Sequence, residues 1–219
     1  MQGAGGVWSV RAMVAVMVAG LVLAAGWGGT AMAQQLPPAP APVAVGLNPA
    51  TTAVLVLDIT TQTCSPQPNC VRMLPRVSSL LAGARAAGAA VIYSVPMTQP
   101  PILPDVAPAE GDPLVIGLAQ DRFFDTPLDE ILRGRGIDTL VLVGWREDGS
   151  VLYTAVGGAI RTYTVVVADD GTSAAQDYDI AVGRYQLLTQ LNANPNNEPL
   201  RKAAVTLSRT DLISFQGAQ

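Results

Sequence analysis

Histidine is absent from all 219 residues, and lysine occurs once, at Lys202. The first absence excludes a Ser-His-Asp triad and a Cys-His pair. It also removes the commonest metal ligand and general base. A Ser-Lys pair is left with Lys202 alone. Cysteine is nearly as scarce: Cys64 and Cys70 are the only two, too few for a four-thiolate zinc site. The chain has no GxxxxGK[ST] phosphate loop and no GxGxxG after a strand. Net charge is -4 with scattered basic residues, which argues against a nucleic-acid partner. No metal and no cofactor are expected.

What is present begins with a targeting pattern. Arg11 is the sole charge before a run from Ala12 to Trp27 that is almost wholly apolar, and Ala31-Met32-Ala33 fits a small-x-small cleavage site. Residues 1–33 therefore read as a signal peptide, and the protein as exported to the periplasm or the extracellular space. The other reading is a retained membrane anchor, although the run is short for a bilayer and carries glycines. Once the signal is removed, no stable membrane span is expected. Residues 34–45 form a Pro/Ala-rich arm, which favours extended conformations and is expected to bury nothing. Residues 46–219 remain as one domain, ample for a single core.

Export gives the cysteine pair a default role. Cys64 and Cys70 bracket the short loop CSPQPNC, and an isolated pair in an oxidising compartment is expected to be a disulfide. Buried free thiols are the alternative. A reactive thiol is disfavoured, because no lysine, arginine or histidine adjoins Cys64.

Along the domain, apolar runs alternate with helical spacings. Ala53 to Asp58 is an unbroken apolar run ending in a carboxylate, as in a strand buried on both faces. Leu74, Val77, Leu80, Leu81 and Ala84 follow at helical spacing, and Gly88 supplies a stop. Further strands are predicted over 90–95, 114–116, 139–143, 164–168 and 203–207. Helices are predicted from Thr126-Pro127, over 150–160 and over 173–191. Alternation of this kind implies a parallel sheet of about six strands covered on both faces, a three-layer α/β/α fold. Strand C-termini then share one edge, where ligands bind. Asp58 and the turn from Gly144 to Ser150 both belong to that edge, so residues far apart in sequence can meet there.

Four segments in order resemble the isochorismatase-like hydrolases, the cysteine hydrolase superfamily. Leu47 to Asp58 resembles the opening strand with its catalytic aspartate. Phe123 to Leu132 resembles the "aF-gT-L-L" helix entry. Gly136 to Gly144 resembles the "gi-lvl-G" strand, and Val165 to Asp169 the strand with a trailing aspartate. The resemblance covers about Leu47 to Ser208. It implies a Rossmann-like fold, hydrolysis of C–N or ester bonds in a small molecule, and assembly into homo-oligomers. It places Asp58 and Ser150 at the catalytic positions and makes Arg122, Trp145 and Arg146 candidate ligand-binding residues.

The sequence departs from the family at the chemistry. Ser150 stands where the family has its nucleophilic cysteine. Residues 116–121 hold no lysine where the family has one, and Arg122 is the nearest cation. A serine hydroxyl is far less acidic than a thiol and needs a dedicated base. Each site residue also has a structural reading. Asp58 can cap strand-end amides and Ser150 can cap a helix. Arg122 can be an ion-pair residue and Trp145 core. Arg146, Glu147 and Asp148 can pair locally. Three functions fit: a divergent hydrolase using Ser150 with Asp58, a catalytically silent relative that binds a small ligand, and an oligomeric scaffold.

Overall fold

The computed structural model describes residues 40–216. The predicted signal peptide and the first half of the arm lie outside the described residues. Strands β1 (Val45–Leu47), β2 (Thr52–Leu57), β3 (Ala90–Pro96), β4 (Leu114–Gly117), β5 (Thr139–Trp145), β6 (Thr164–Ser173), β7 (Val205–Ser208) and β8 (Ile213–Phe215) alternate with helices α1 (Pro68–Ala87), α2 (Leu128–Gly134), α3 (Leu152–Ile160) and α4 (Asp177–Thr189). Six strands form one sheet in the order β4-β3-β2-β5-β6-β7. Every pairing in it is parallel.

Central position explains the composition of the strands. All six residues of β2 are buried, because helices cover both faces. One core cluster joins Val54, Val56, Val141 and Val143 to α1 through Val77, Leu81 and Ala84. A second, on the opposite face, joins Leu55, Leu57, Leu140 and Leu142 to Leu132 of α2, Ala155 of α3 and Leu187 of α4. This is the three-layer arrangement expected from the alternation. The α1 stop is also as read: Gly88 caps the helix at φ 84°, a left-handed conformation suited to glycine.

Some expectations need correction, and one small sheet carries no signal in the sequence. Val45, the last arm residue, is 4% exposed and pairs with Ile213, so the end of the arm does bury surface. Further back, the Val43 amide donates to Leu207 O at 3.1 Å, holding the arm along β7. The small β1–β8 sheet has strands of three residues each, too short for any periodicity to show. Finally, the helix predicted from Ser150 begins at Leu152. Glu147–Val151 forms a distorted turn before it, with Gly149 at φ -130°, ψ -111°.

Cys64 and Cys70 are joined in a disulfide, and both are fully buried. The bond ties the loop after β2 to the first turn of α1. Replacing both with alanine is expected to cost about 2–3 kcal/mol in the loop-entropy model. Denaturant titration of the double variant measures this. Thiol counting on the unfolded, unreduced protein should find no free thiol. No helix among the described residues is long and apolar enough to cross a membrane.

Candidate functional site

Asp58 follows the last residue of β2. Its amide donates to Ser94 O on β3 at 2.9 Å, continuing the ladder by one step. The chain then leaves the sheet, with Asp58 at φ 54°. Its carbonyl accepts from the Thr60 amide at 3.0 Å and from the Thr63 hydroxyl. These bonds aim the carboxyl into the sheet edge rather than into solvent.

Separated from β2 by β3 and β4 along the chain but adjacent to it in the sheet, β5 ends beside β2, with Leu57 opposite Gly144. Gly144 sits at φ 134°, and a side chain there would strike the Leu57 carbonyl, 2.8 Å from its carbon. Only glycine lets the two strands end this close together. The turn that follows carries Ser150 towards Asp58.

The third member comes from the loop after β4. The Arg122 amide donates to Thr154 Oγ1 on α3 at 3.1 Å, which fixes the loop to that helix. Its guanidinium pairs with Asp58 Oδ2 and donates to Ser150 Oγ at 2.8 Å. A second nitrogen donates to Ala119 O. The Ser150 hydroxyl donates to Asp58 Oδ2 at 2.6 Å. The three are buried, at 4%, 5% and 7% exposure for Asp58, Arg122 and Ser150. Burial raises the Asp58 carboxyl above the usual aspartate range, against the pull of the Arg122 charge and the bonds from Ser150 and Arg122.

Chemically the trio is a hydroxyl, a carboxylate to accept its proton, and a fixed cation beside both. The cation cannot take part in proton transfer, since guanidinium stays charged in proteins. Ser150 caps no helix: its hydroxyl is committed to Asp58, and no side-chain cap bond starts α3. Asp58 Oδ1 and Arg122 Nε are buried without a hydrogen-bond partner among the described residues, one free acceptor and one free donor.

The remaining candidates lie apart from the trio. Trp145 is 8% exposed and belongs to the α1-side core cluster, on the other face of the sheet from α3. Arg146 pairs with Asp148 at 2.5 Å and keeps nearly half its side chain in solvent. Glu147, the residue between them, does not pair locally as the sequence suggested. It is 1% exposed, accepts from Thr172 Oγ1 at 3.2 Å and lies 3.5 Å from Arg184 Nε on α4. Arg184 also pairs with Asp169 on β6. Burial pushes the Glu147 carboxyl up to about 8 against the opposing pull of Arg184, and the Asp169 charge adds to the rise. A glutamate flanked by two charged neighbours in a turn gives no sequence signal of burial.

A family model, the isochorismatase domain, matches residues 52–193. The secreted isochorismatase effector Isc1 of Verticillium dahliae is 36% identical over 118 residues, 48% of this chain and 60% of that protein. The ureidoacrylate amidohydrolase RutB of Klebsiella pneumoniae is 36% identical over 74 residues, 34% of this chain and 31% of that protein. The chain thus spans less than two thirds of either relative. Among solved structures, an isochorismatase family protein from Desulfovibrio vulgaris superposes with a TM-score of 0.64 at 21% identity. That match covers 74% of this chain and 95% of the other, a likeness of fold.

Proposed function

From the premise that this chain belongs to the isochorismatase family, we propose that it is an exported hydrolase acting on a C–N (amide) or ester bond of a small molecule, with Ser150 as nucleophile. The observation that carries this reading is the bond from the Ser150 hydroxyl to Asp58 Oδ2 at 2.6 Å with the Arg122 cation beside both. Ser150 Oγ attacks the substrate carbonyl carbon as its proton passes to Asp58. The bond to the leaving group breaks, and the leaving nitrogen or oxygen takes that proton from Asp58. Water then attacks the acyl-serine, giving a proton to Asp58. As the acyl–Oγ bond breaks, Ser150 recovers its proton. Arg122 stays charged throughout and stabilises the oxygen that develops charge.

Burial supports Asp58 in this role, because a carboxylate in the ordinary range is a weak base for a hydroxyl. Export is supported by the signal-like N-terminus, by the buried disulfide and by the secreted relative, and puts the protein in the periplasm or outside the cell. Self-association into a homo-oligomer is supported by Tyr153 and Ile160 on α3, 49% and 64% exposed, and light scattering tests it.

Purified protein assayed against a panel of small amides and esters should show turnover that Ser150→Ala abolishes. Turnover undiminished in Ser150→Ala would place the reaction elsewhere. A second reading, ligand binding without turnover, is favoured by one observation. Asp58, Arg122 and Ser150 bond directly to one another and are all but closed to solvent. Under it the same panel yields no product, yet compounds that bind raise the melting temperature.

A further inference from the structure

The Arg122 guanidinium reaches Asp58 and Ser150 by lying across Gly117, the last residue of β4. A side chain at position 117 would collide with it. A Cβ built there falls 2.6 Å from Cζ and 2.7 Å from Cδ of Arg122, and closer still to Nη1. Real Cβ atoms do not approach other atoms this closely. Backbone conformation does not require the glycine: Gly117 is not among the residues with positive φ, and it sits in regular parallel register opposite Pro96. Glycine weakens a strand interior, and a strand glycine with ordinary dihedrals commonly marks a close approach. Here the approaching group is the cation of the site.

We infer that Gly117 is a positioning residue, whose missing side chain forms the seat that holds Arg122 against Asp58 and Ser150. The inference rests on the proposed pairing of Ser150 with Asp58. Both terminal nitrogens of the guanidinium are already held, one by Asp58 Oδ2 and Ser150 Oγ and the other by Ala119 O. The Arg122 side chain is 6% exposed, so the displaced head has no open route that keeps these bonds. A methyl group at position 117 therefore acts first on the cation, since the three atoms nearest to it all belong to Arg122.

The test uses a thiol as a reporter of the cation. In full-length Ser150→Cys, an adjacent guanidinium lowers the thiol pKa, and alkylation by iodoacetamide follows the thiolate fraction. Adding Gly117→Ala should slow alkylation at pH 7 roughly tenfold, as expected for a rise of about one unit in the thiol pKa. The pH–rate profile should move to higher pH while its alkaline plateau stays in place. In the Arg122→Gln, Ser150→Cys background, Gly117→Ala should change the profile less than twofold, because there is no guanidinium to displace. Superimposable profiles for Ser150→Cys with and without Gly117→Ala would overturn the inference. So would an equal slowing in the Arg122→Gln background. Should Gly117→Ala fail to fold, adding Arg122→Ala and Asp58→Leu, which remove the colliding side chain and the charge it would leave unpaired, must restore folding, and continued failure would count against the seat. Because the readout is alkylation rather than turnover, it separates from the hydrolase reading: absence of any substrate turnover refutes that reading while leaving the profile to decide the role of Gly117.

Discussion

Arg122→Met is expected to destabilise the protein by about 3–5 kcal/mol, the usual cost of removing one partner from a buried ion pair. The side chains of Arg122 and Asp58 are 6% and 5% exposed. Without the guanidinium, the Asp58 carboxylate keeps only the Ser150 hydroxyl and has almost no water. The melting midpoint should fall by roughly 6–20 °C in a domain of this size. The deficit should also depend on pH. Burial already holds the folded Asp58 carboxyl above its ordinary range, and loss of Arg122 raises it further. A carboxyl raised in the folded state favours the fold below its unfolded value, and that benefit is lost as pH rises through the folded value. The variant should therefore approach wild type in acid and diverge from it towards neutral pH. Adding Asp58→Leu should recover most of the loss, since an apolar pair in place of buried charges is often neutral or stabilising. Urea titrations of the two single variants and the double variant, run at acid and neutral pH, provide the measurement. A single-variant cost under about 1 kcal/mol would mean that the pair is far better solvated than its burial indicates.

The central sheet was legible because its signal is redundant. Ala53 to Leu57 and Leu140 to Val143 are apolar without interruption, as only strands covered on both faces tend to be. The strands β1 and β8 were not legible, since three residues carry no periodicity and each depends on the other for pairing. Half of the site could be placed for the same reason. Asp58 and the turn to Ser150 end strands that are themselves readable, and a parallel sheet brings such ends together. What joins them was only partly legible. The family resemblance made Arg122 a candidate as the nearest cation to the missing lysine, but it lies 64 residues from Asp58 in a loop, and nothing local marks it as the partner rather than a surface arginine. Gly117 is quieter still, because a glycine kept for the space it leaves looks in sequence like a weak point in a strand. Ser150 shows the reverse error. Local pattern favoured a first-turn helical position, while the tertiary bond to Asp58 holds it in a turn that helix propensity does not describe.

Glu147→Gln is expected to stabilise the protein progressively as pH rises. The folded carboxyl lies near 8 against an ordinary value of 4.5, and burial is the main cause. Below the ordinary value the group is neutral in both states and makes no difference. Between the two values the unfolded chain ionises while the folded chain holds its proton, and each pH unit costs the fold about 1.4 kcal/mol. Above the folded value both states are ionised and the cost levels off, at an accumulated total on the order of 5 kcal/mol. Glutamine keeps the shape and the neutral polarity of the protonated acid and has no such slope. Arg184 does not lose its role in the variant, because it retains its pair with Asp169. The difference in stability between variant and wild type should thus widen from pH 5 to pH 8 and become flat by pH 9, as read from urea midpoints at each pH. The difference isolates this one group, since every other titrating residue is common to both proteins. Parallel curves across that range would mean that Glu147 ionises normally, with Arg184 and Thr172 compensating fully for its burial. A widening difference would establish that Glu147, in the turn carrying Ser150, keeps its proton in the folded protein at neutral pH.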